Sequence, residues 1–283
     1  MLTKIILPVV LFAMTAESFA AVRIKCPQVS SEVSEGKTIA DYQAFFTANK
    51  IVAKTDVSVN FVEQFKNEFI KFPTSLHAEL MKAGNKIHIM EGSGVTVDPT
   101  WSPTNEKTFD GRPWSEVPGG GGSTARGYRK SPTRIVINHF YSHHGSANLF
   151  LHEHGHSLDS INNLHGISNS RVWADLLVAE PGTEKFLSEI CGKYCTENIE
   201  EGFAELFANF HACPESRTQL ETELPKVADF FTRFTTTKNL DRIWEDQSTS
   251  VVHETRADRI RRRAEQVRDR AVDIFGRIFP DSE

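Results

Sequence analysis

Apolar residues recur at three- and four-residue spacing through the first part of the chain. Tyr42, Phe45 and Phe46, then Phe61, Phe65 and Phe69, then Leu76, Leu80 and Met81, predict helices across residues 39–83. Residues 86–90, Lys-Ile-His-Ile-Met, alternate at period two and predict a strand. From 91 to 133 the pattern lapses into Gly, Pro, Ser and Thr, including four consecutive glycines at 119–122. That predicts one long loop, a length that compact domains reserve for function or leave disordered. Residues 134–138 predict the next strand, a helix follows from about Ala147, and further helices fill the remainder. There is no internal repeat. The order of elements implies a mixed α/β (α+β) chain, with a small mixed sheet, N-terminal helices and a helical C-terminal half.

The two ends depart from this pattern. Residues 1–20 combine a short basic start, an apolar run from Ile5 to Ala16, and the small residues Ser18 and Ala20. They predict a cleavable secretory signal, cut near Ala20, and a secreted or periplasmic product. The run is shorter than the ~20 residues of a spanning helix, and no later stretch predicts a transmembrane segment. Residues 21–38 read as a linker, 39–240 as the folded domain, and 241–283 as an Arg-rich amphipathic helical extension. In that extension Ile260, Ala264, Val267, Ala271, Ile274 and Ile278 form an apolar stripe among arginines at 256, 259, 261–263, 268, 270 and 277. The arginines suit an anionic surface. The interspersed Asp258, Glu265, Asp269 and Asp273 favour a helix docked on the body with a solvated basic face.

Composition changes little in this picture. A 39% hydrophobic fraction supplies one sizeable core, and a net charge of −5 gives no electrostatic reason to expect nucleic acid. Cys26, Cys191, Cys195 and Cys213 are an even set suited to an oxidising compartment, with three pairings open.

Candidate chemistry begins at His152-Glu153-His154-Gly155-His156. On a helix His152 and His156 lie one turn apart on one face, so both imidazoles can reach one cation. Glu153, turned by the ~100° step of a helix, stays off the metal but beside the water the metal would activate, where it can act as general base. His154 faces away and reads as a supporting or exposed residue. Asp159, seven positions after His152, can accept a ring N–H from a ligand histidine. A catalytic zinc site needs a third protein ligand. A histidine six positions beyond His156 would supply one, but that residue is Asn162. The downstream acidic cluster offers Glu200, Glu201 and Glu205, and spacing alone does not choose among them.

These residues resemble the zinc peptidases of the anthrax lethal factor and Pro-Pro endopeptidase family. There a His-Glu-x-x-His helix pairs with a downstream Glu-Phe-Phe-Ala-Glu helix whose first glutamate is the third ligand. Glu201-Gly202-Phe203-Ala204-Glu205 matches it, which implies Glu201 as ligand and Glu205 as its supporting carboxylate. A family tyrosine seven residues earlier corresponds to Tyr194, and the resemblance implies that its phenol stabilises the reaction's oxyanion. Upstream, the run from Arg112 to Thr124 is similar to a family segment with Trp, Val-Pro-Gly, paired glycines and Ser-Thr. It implies Trp114 as a platform for substrate prolines, Arg112 as a partner of Glu200, and Gly120 in a loop over the peptide.

The similarity covers roughly residues 40–235, and three departures stand out. Gly202 replaces a phenylalanine and is expected to loosen packing beside the ligand. The connection after Thr124 is longer, and the cysteines around Tyr194 are an addition suited to fixing that tyrosine's loop.

The resemblance therefore implies a zincin-like fold, one Zn2+ per chain, a protein or peptide substrate, and endopeptidase activity on extended, proline-containing segments. Two other expectations compete: a zinc amidase on cell-wall peptides, and a non-catalytic protein that keeps the metal site to bind a partner. The presence of both Glu153 and Tyr194 favours chemistry.

Overall fold

The computed structural model describes residues 26, 36–53, 57–91, 113, 117, 119–120, 134–137, 146–161 and 166–236. The expected signal, Arg112, Trp114 and the arginine-rich extension lie outside the described residues.

A 3-10 turn at Ile39–Tyr42 leads into α1 (Gln43–Ala48), β1 (Ile51–Ala53), α2 (Val59–Phe69), α3 (Thr74–Lys82) and β2 (Lys86–Ile89). After β3 (Gly119–Gly120) and β4 (Arg134–Ile137) come α4 (Leu149–Asp159), α5 (Arg171–Ala179), α6 (Thr183–Cys191), α7 (Lys193–Glu197), α8 (Ile199–Ala212), α9 (Pro214–Glu223) and α10 (Pro225–Thr236). The described strands form one sheet in the order β1-β2-β4-β3. β1, β2 and β4 run parallel, with Ile51 opposite Ile87 and Ile87 opposite Ile135. β3 runs antiparallel to β4, pairing Gly119 with Ile137 and Gly120 with Val136. The mixed α/β architecture expected from the sequence is therefore present.

Two strands differ from expectation. β1 interrupts the stretch assigned to helices, because Lys50 takes a positive φ of 50° and turns the chain out of α1. Three residues are too few to display a period. β3 falls within the glycine run assigned to loop, where the absence of side chains leaves no alternation to detect.

The helices behind the sheet bury an aromatic core. Phe65, Phe150, Phe203, Phe207, Phe231 and Trp173 are fully buried, and Trp173 meets Phe203 edge-on at 4.9 Å between ring centres. α4 and α8 form the most intimate helix pair. A Cβ placed on Gly155 would stand 2.8 Å from the Ala204 Cα, so only glycine allows this approach.

All four cysteines are paired. Cys26–Cys213 joins residues 187 apart in sequence and anchors the N-terminal segment at the junction of α8 and α9. Cys191–Cys195 spans the joint between α6 and α7. In the chain-entropy picture the long loop stabilises by about 5 kcal/mol and the short one by about 2 kcal/mol. A Cys26→Ser/Cys213→Ser variant is expected to melt about 10–20 °C lower, and a Cys191→Ser/Cys195→Ser variant only about 4–8 °C lower. Scanning calorimetry checks this, and the reverse order would contradict it.

Candidate metal centre

α4 starts where Asn148 accepts a hydrogen bond from the Leu151 N–H at 2.9 Å. The same side chain donates to Glu68 of α2, which also holds an ion pair with Lys71 at 2.8 Å. The cap that begins the helix is thus tied to the N-terminal helices. α8 begins where the Asn198 side-chain oxygen accepts from the N–H groups of Glu200 (3.1 Å) and Glu201 (3.4 Å). Its first turn carries those two acidic side chains, which the positive end of the helix dipole favours.

The crossing of α4 and α8 brings three ligand atoms together. His152 Nε2 and His156 Nε2 stand 3.1 Å apart, and Glu201 Oε2 lies 3.1 Å from the first and 3.2 Å from the second. A tetrahedral ion bonded at about 2.0–2.1 Å, as zinc is to imidazole and carboxylate, sets its ligand atoms about 3.3–3.4 Å apart. The observed triangle fits that spacing. It also calls for a cation on other grounds. Two imidazole lone pairs facing each other at 3.1 Å repel unless a proton or a metal ion stands between them.

Glu205, one turn beyond Glu201, fixes the orientation of His152. Its Oε2 lies 3.1 Å from His152 Nδ1, and since a carboxylate only accepts, Nδ1 carries the proton and Nε2 turns its lone pair to the centre. The other oxygen of Glu205 accepts from the Ala147 N–H at 3.1 Å and from Asn209 Nδ2 at 3.0 Å. Sequence reasoning missed Asn209, although its position one turn beyond Glu205 on an apolar helix was a signal. Glu153 is 5% exposed on α4, and its charge raises the proton affinity of both His152 and His156.

Several residues stand differently from expectation. His154 is neither supporting nor exposed; it is fully buried between Phe72 and Phe150, with ring centres 4.3 and 4.0 Å away. Its Nδ1–H donates to the Phe150 carbonyl at 2.7 Å. Burial foremost pushes its pKa to about 3, so it is a neutral core residue. Among the described residues Asp159 makes no hydrogen bond to a histidine. It accepts from the N–H (2.6 Å) and hydroxyl (2.7 Å) of Ser168, and burial raises its pKa to about 6. Glu200 is exposed and accepts from Asn169 Nδ2 at 3.1 Å, while Arg112, its expected partner, lies outside the described residues. Tyr194 lies on α7, partly buried against the core, and α7 packs on α8. Gly120 lies in β3, beside which α4 packs. Gly202 does not loosen the packing: a Cβ there would stand 3.0 Å from the Cys195 carbonyl oxygen and 3.1 Å from Leu187 Cδ1.

A small mixed sheet backed by two crossing helices, with two histidines and a glutamate converging at their contact, defines a mixed α/β protein with a candidate mononuclear metal centre. Residues 38–234 match the family model of the anthrax toxin lethal factor, N- and C-terminal domain, and the chain belongs to that family. A Pro-Pro endopeptidase of Clostridioides difficile (strain 630) is 31% identical over 120 residues, covering 42% of this chain and 49% of that protein. The chain thus aligns with about half the length of that relative. The solved structure of the Pro-Pro endopeptidase PPEP-2 from Paenibacillus alvei shares the fold, with a TM-score of 0.50 at 21% identity. That match covers 66% of this chain and 98% of the other.

The charge balance gives a test. Burial works against a charged His152, but its hydrogen bonds to Glu201 and Glu205 and the charges of Glu201 and Glu153 outweigh it and hold its pKa well above the usual value. Burial likewise opposes ionised Glu201, and His156 and His152 overcome it, holding the carboxyl well below its usual range. The metal-free cluster therefore keeps a proton at pH 7, and a metal ion must displace it. Metal uptake is expected to release protons and to weaken as the pH falls. Calorimetry in two buffers of different ionisation enthalpy reads the release, and no difference between buffers would contradict it.

Proposed function

We propose that the chain is a secreted zinc-dependent endopeptidase with a zincin-like fold, acting on extended, proline-containing protein or peptide segments. The observation that carries this reading is the convergence of His152, His156 and Glu201 beside buried Glu153, in a chain of the lethal factor family. The relative named Pro-Pro endopeptidase supports the substrate class. The two disulfides support an oxidising destination, in keeping with a signal over residues 1–20.

In this reading His152, His156 and Glu201 hold the ion. When bound, zinc polarises the scissile carbonyl and makes water acidic enough to deprotonate near neutral pH. Glu153 takes a proton from the attacking water and delivers it to the leaving amine. Tyr194 donates its phenolic hydrogen bond to the oxyanion that develops on the carbonyl. Glu205 keeps the His152 ring in the orientation that serves the ion.

β3 is the outer strand of the described sheet, and α4 packs beside it, a position that supports pairing with an extended peptide near the centre. Gly120 would contribute backbone groups there. Trp114 would receive proline rings and Arg112 would pair with Glu200, roles that rest on the family resemblance. The catalytic domain would occupy residues 39–240, after a linker at 21–38. The extension at 241–283 would dock on it with a solvated basic face.

Purified protein is expected to contain one equivalent of zinc and to cleave members of a proline-biased peptide library. Glu153→Ala should keep the zinc and lose about 10²–10⁴-fold in kcat, the contribution of a positioned general base. Zinc analysis and mass spectrometry of the digests check this. Protein without zinc would overturn the reading, as would cleavage by the variant at the wild-type rate.

A further inference from the structure

Stability explains the short disulfide less fully than the long one, because it closes a loop of only five residues. Its surroundings suggest another reason. α6 ends at Cys191, and α7 begins at Lys193; the joint between them is Gly192, at φ 67° and ψ −150°. Side chains other than hydrogen rarely tolerate that conformation, so the joint is a sharp corner with little intrinsic preference for one geometry. Tyr194 is the second residue after the corner, inside the loop that Cys191–Cys195 closes.

The corner is seated directly on α8. The Cys195 carbonyl oxygen and Leu187 Cδ1 both press on the space where Gly202 would carry a Cβ, at 3.0 and 3.1 Å. Gly202 immediately follows Glu201. Three residues past Cys195, Asn198 accepts from the N–H groups of Glu200 and Glu201 and starts α8. The segment from 191 to 201 is therefore held at three points: a covalent bond across the corner, a notch that accepts its backbone, and a cap that leads into the ligand helix.

We propose that Cys191–Cys195 and Gly202 form one positioning device, a covalent clip seated in a glycine notch, that sets Tyr194 in place relative to Glu201. The bond stops the Gly192 corner from pivoting, and the notch fixes the height at which the clipped turn sits on α8. The proposal rests on the reading of Tyr194 as the oxyanion donor, and the test separates the two.

The test is a double-mutant cycle on the full chain, using a peptide that the wild type cleaves. Kinetics and bound zinc are measured for Tyr194→Phe, for Cys191→Ser/Cys195→Ser, and for their combination. Tyr194→Phe should lower kcat by about 10²–10³-fold, as loss of an oxyanion donor does. The serine pair should lower kcat by about tenfold or more through misplacement alone, with zinc content and KM held. The combination should be within about twofold of Tyr194→Phe, because a clip that acts through the tyrosine has nothing left to position.

A combined loss equal to the product of the two would overturn the proposal, as would wild-type kcat in the serine pair. Loss of zinc from the serine pair would also overturn it, since the clip would then be supporting the ligand helix instead. Tyr194→Phe at the wild-type rate would remove the role of the tyrosine itself, and the proposal with it. Should the serine pair resist purification, Gly202→Ala runs the same cycle with both cysteines intact. It displaces the Cys195 carbonyl and should show the same lack of additivity with Tyr194→Phe.

Discussion

The near-contact of α4 and α8 at Gly155 and Ala204 is the constraint on which the centre depends. Helix axes with ordinary side chains between them lie roughly 8–10 Å apart. Here a single added methyl would meet the opposing backbone at 2.8 Å. The closeness is needed because two ligands come from one helix and one from the other, and their donor atoms must meet within 3.1–3.2 Å. A shift of one ångström between the helices would open the triangle beyond the reach of one ion. The glycine inside the histidine motif is thus as much a part of the centre as the histidines that flank it.

Putting two imidazoles and two carboxylates into a buried crossing is costly unless every group has a partner. The crossing meets that condition along a connected chain. Glu201 faces both ligand histidines, Glu205 takes the outer N–H of His152, and Asn209 and the Ala147 N–H take the remaining oxygen of Glu205. Such a network is worth having only when complete, since a half-satisfied one leaves a charge stranded in a low-dielectric interior. His154 shows the contrast. Two residues from each ligand, it points into an aromatic cage and is held neutral.

The start of α8 is held from two sides. On one, Asp159 at the end of α4 binds Ser168, and the neighbouring Asn169 reaches Glu200. On the other, the turn between α6 and α7 rests on Gly202. Both supports come from residues outside the two motifs, and both act on the turn that carries Glu201. The ligand is fixed by its surroundings more than by its own helix, which begins only two residues earlier.

Much of this was legible in the sequence wherever the information is local. His152 and His156 had to share a face if that stretch was helical, because 3.6 residues per turn leaves no other choice. The long helices and the strands at 86–89 and 134–137 followed from periodicity in the same way. The choice of Glu201 over Glu200 and Glu205 needed the family motif, since a helical run of glutamates does not say which one faces a helix some fifty residues away. Only the tertiary structure decided the rest. It set His154 in the core, gave Asp159 to Ser168, paired the cysteines, and made a notch of Gly202 where looser packing was expected. Each of these depends on what an element meets across space. Local spacing determines which side chains share a face, and only the packing of distant segments determines what that face touches.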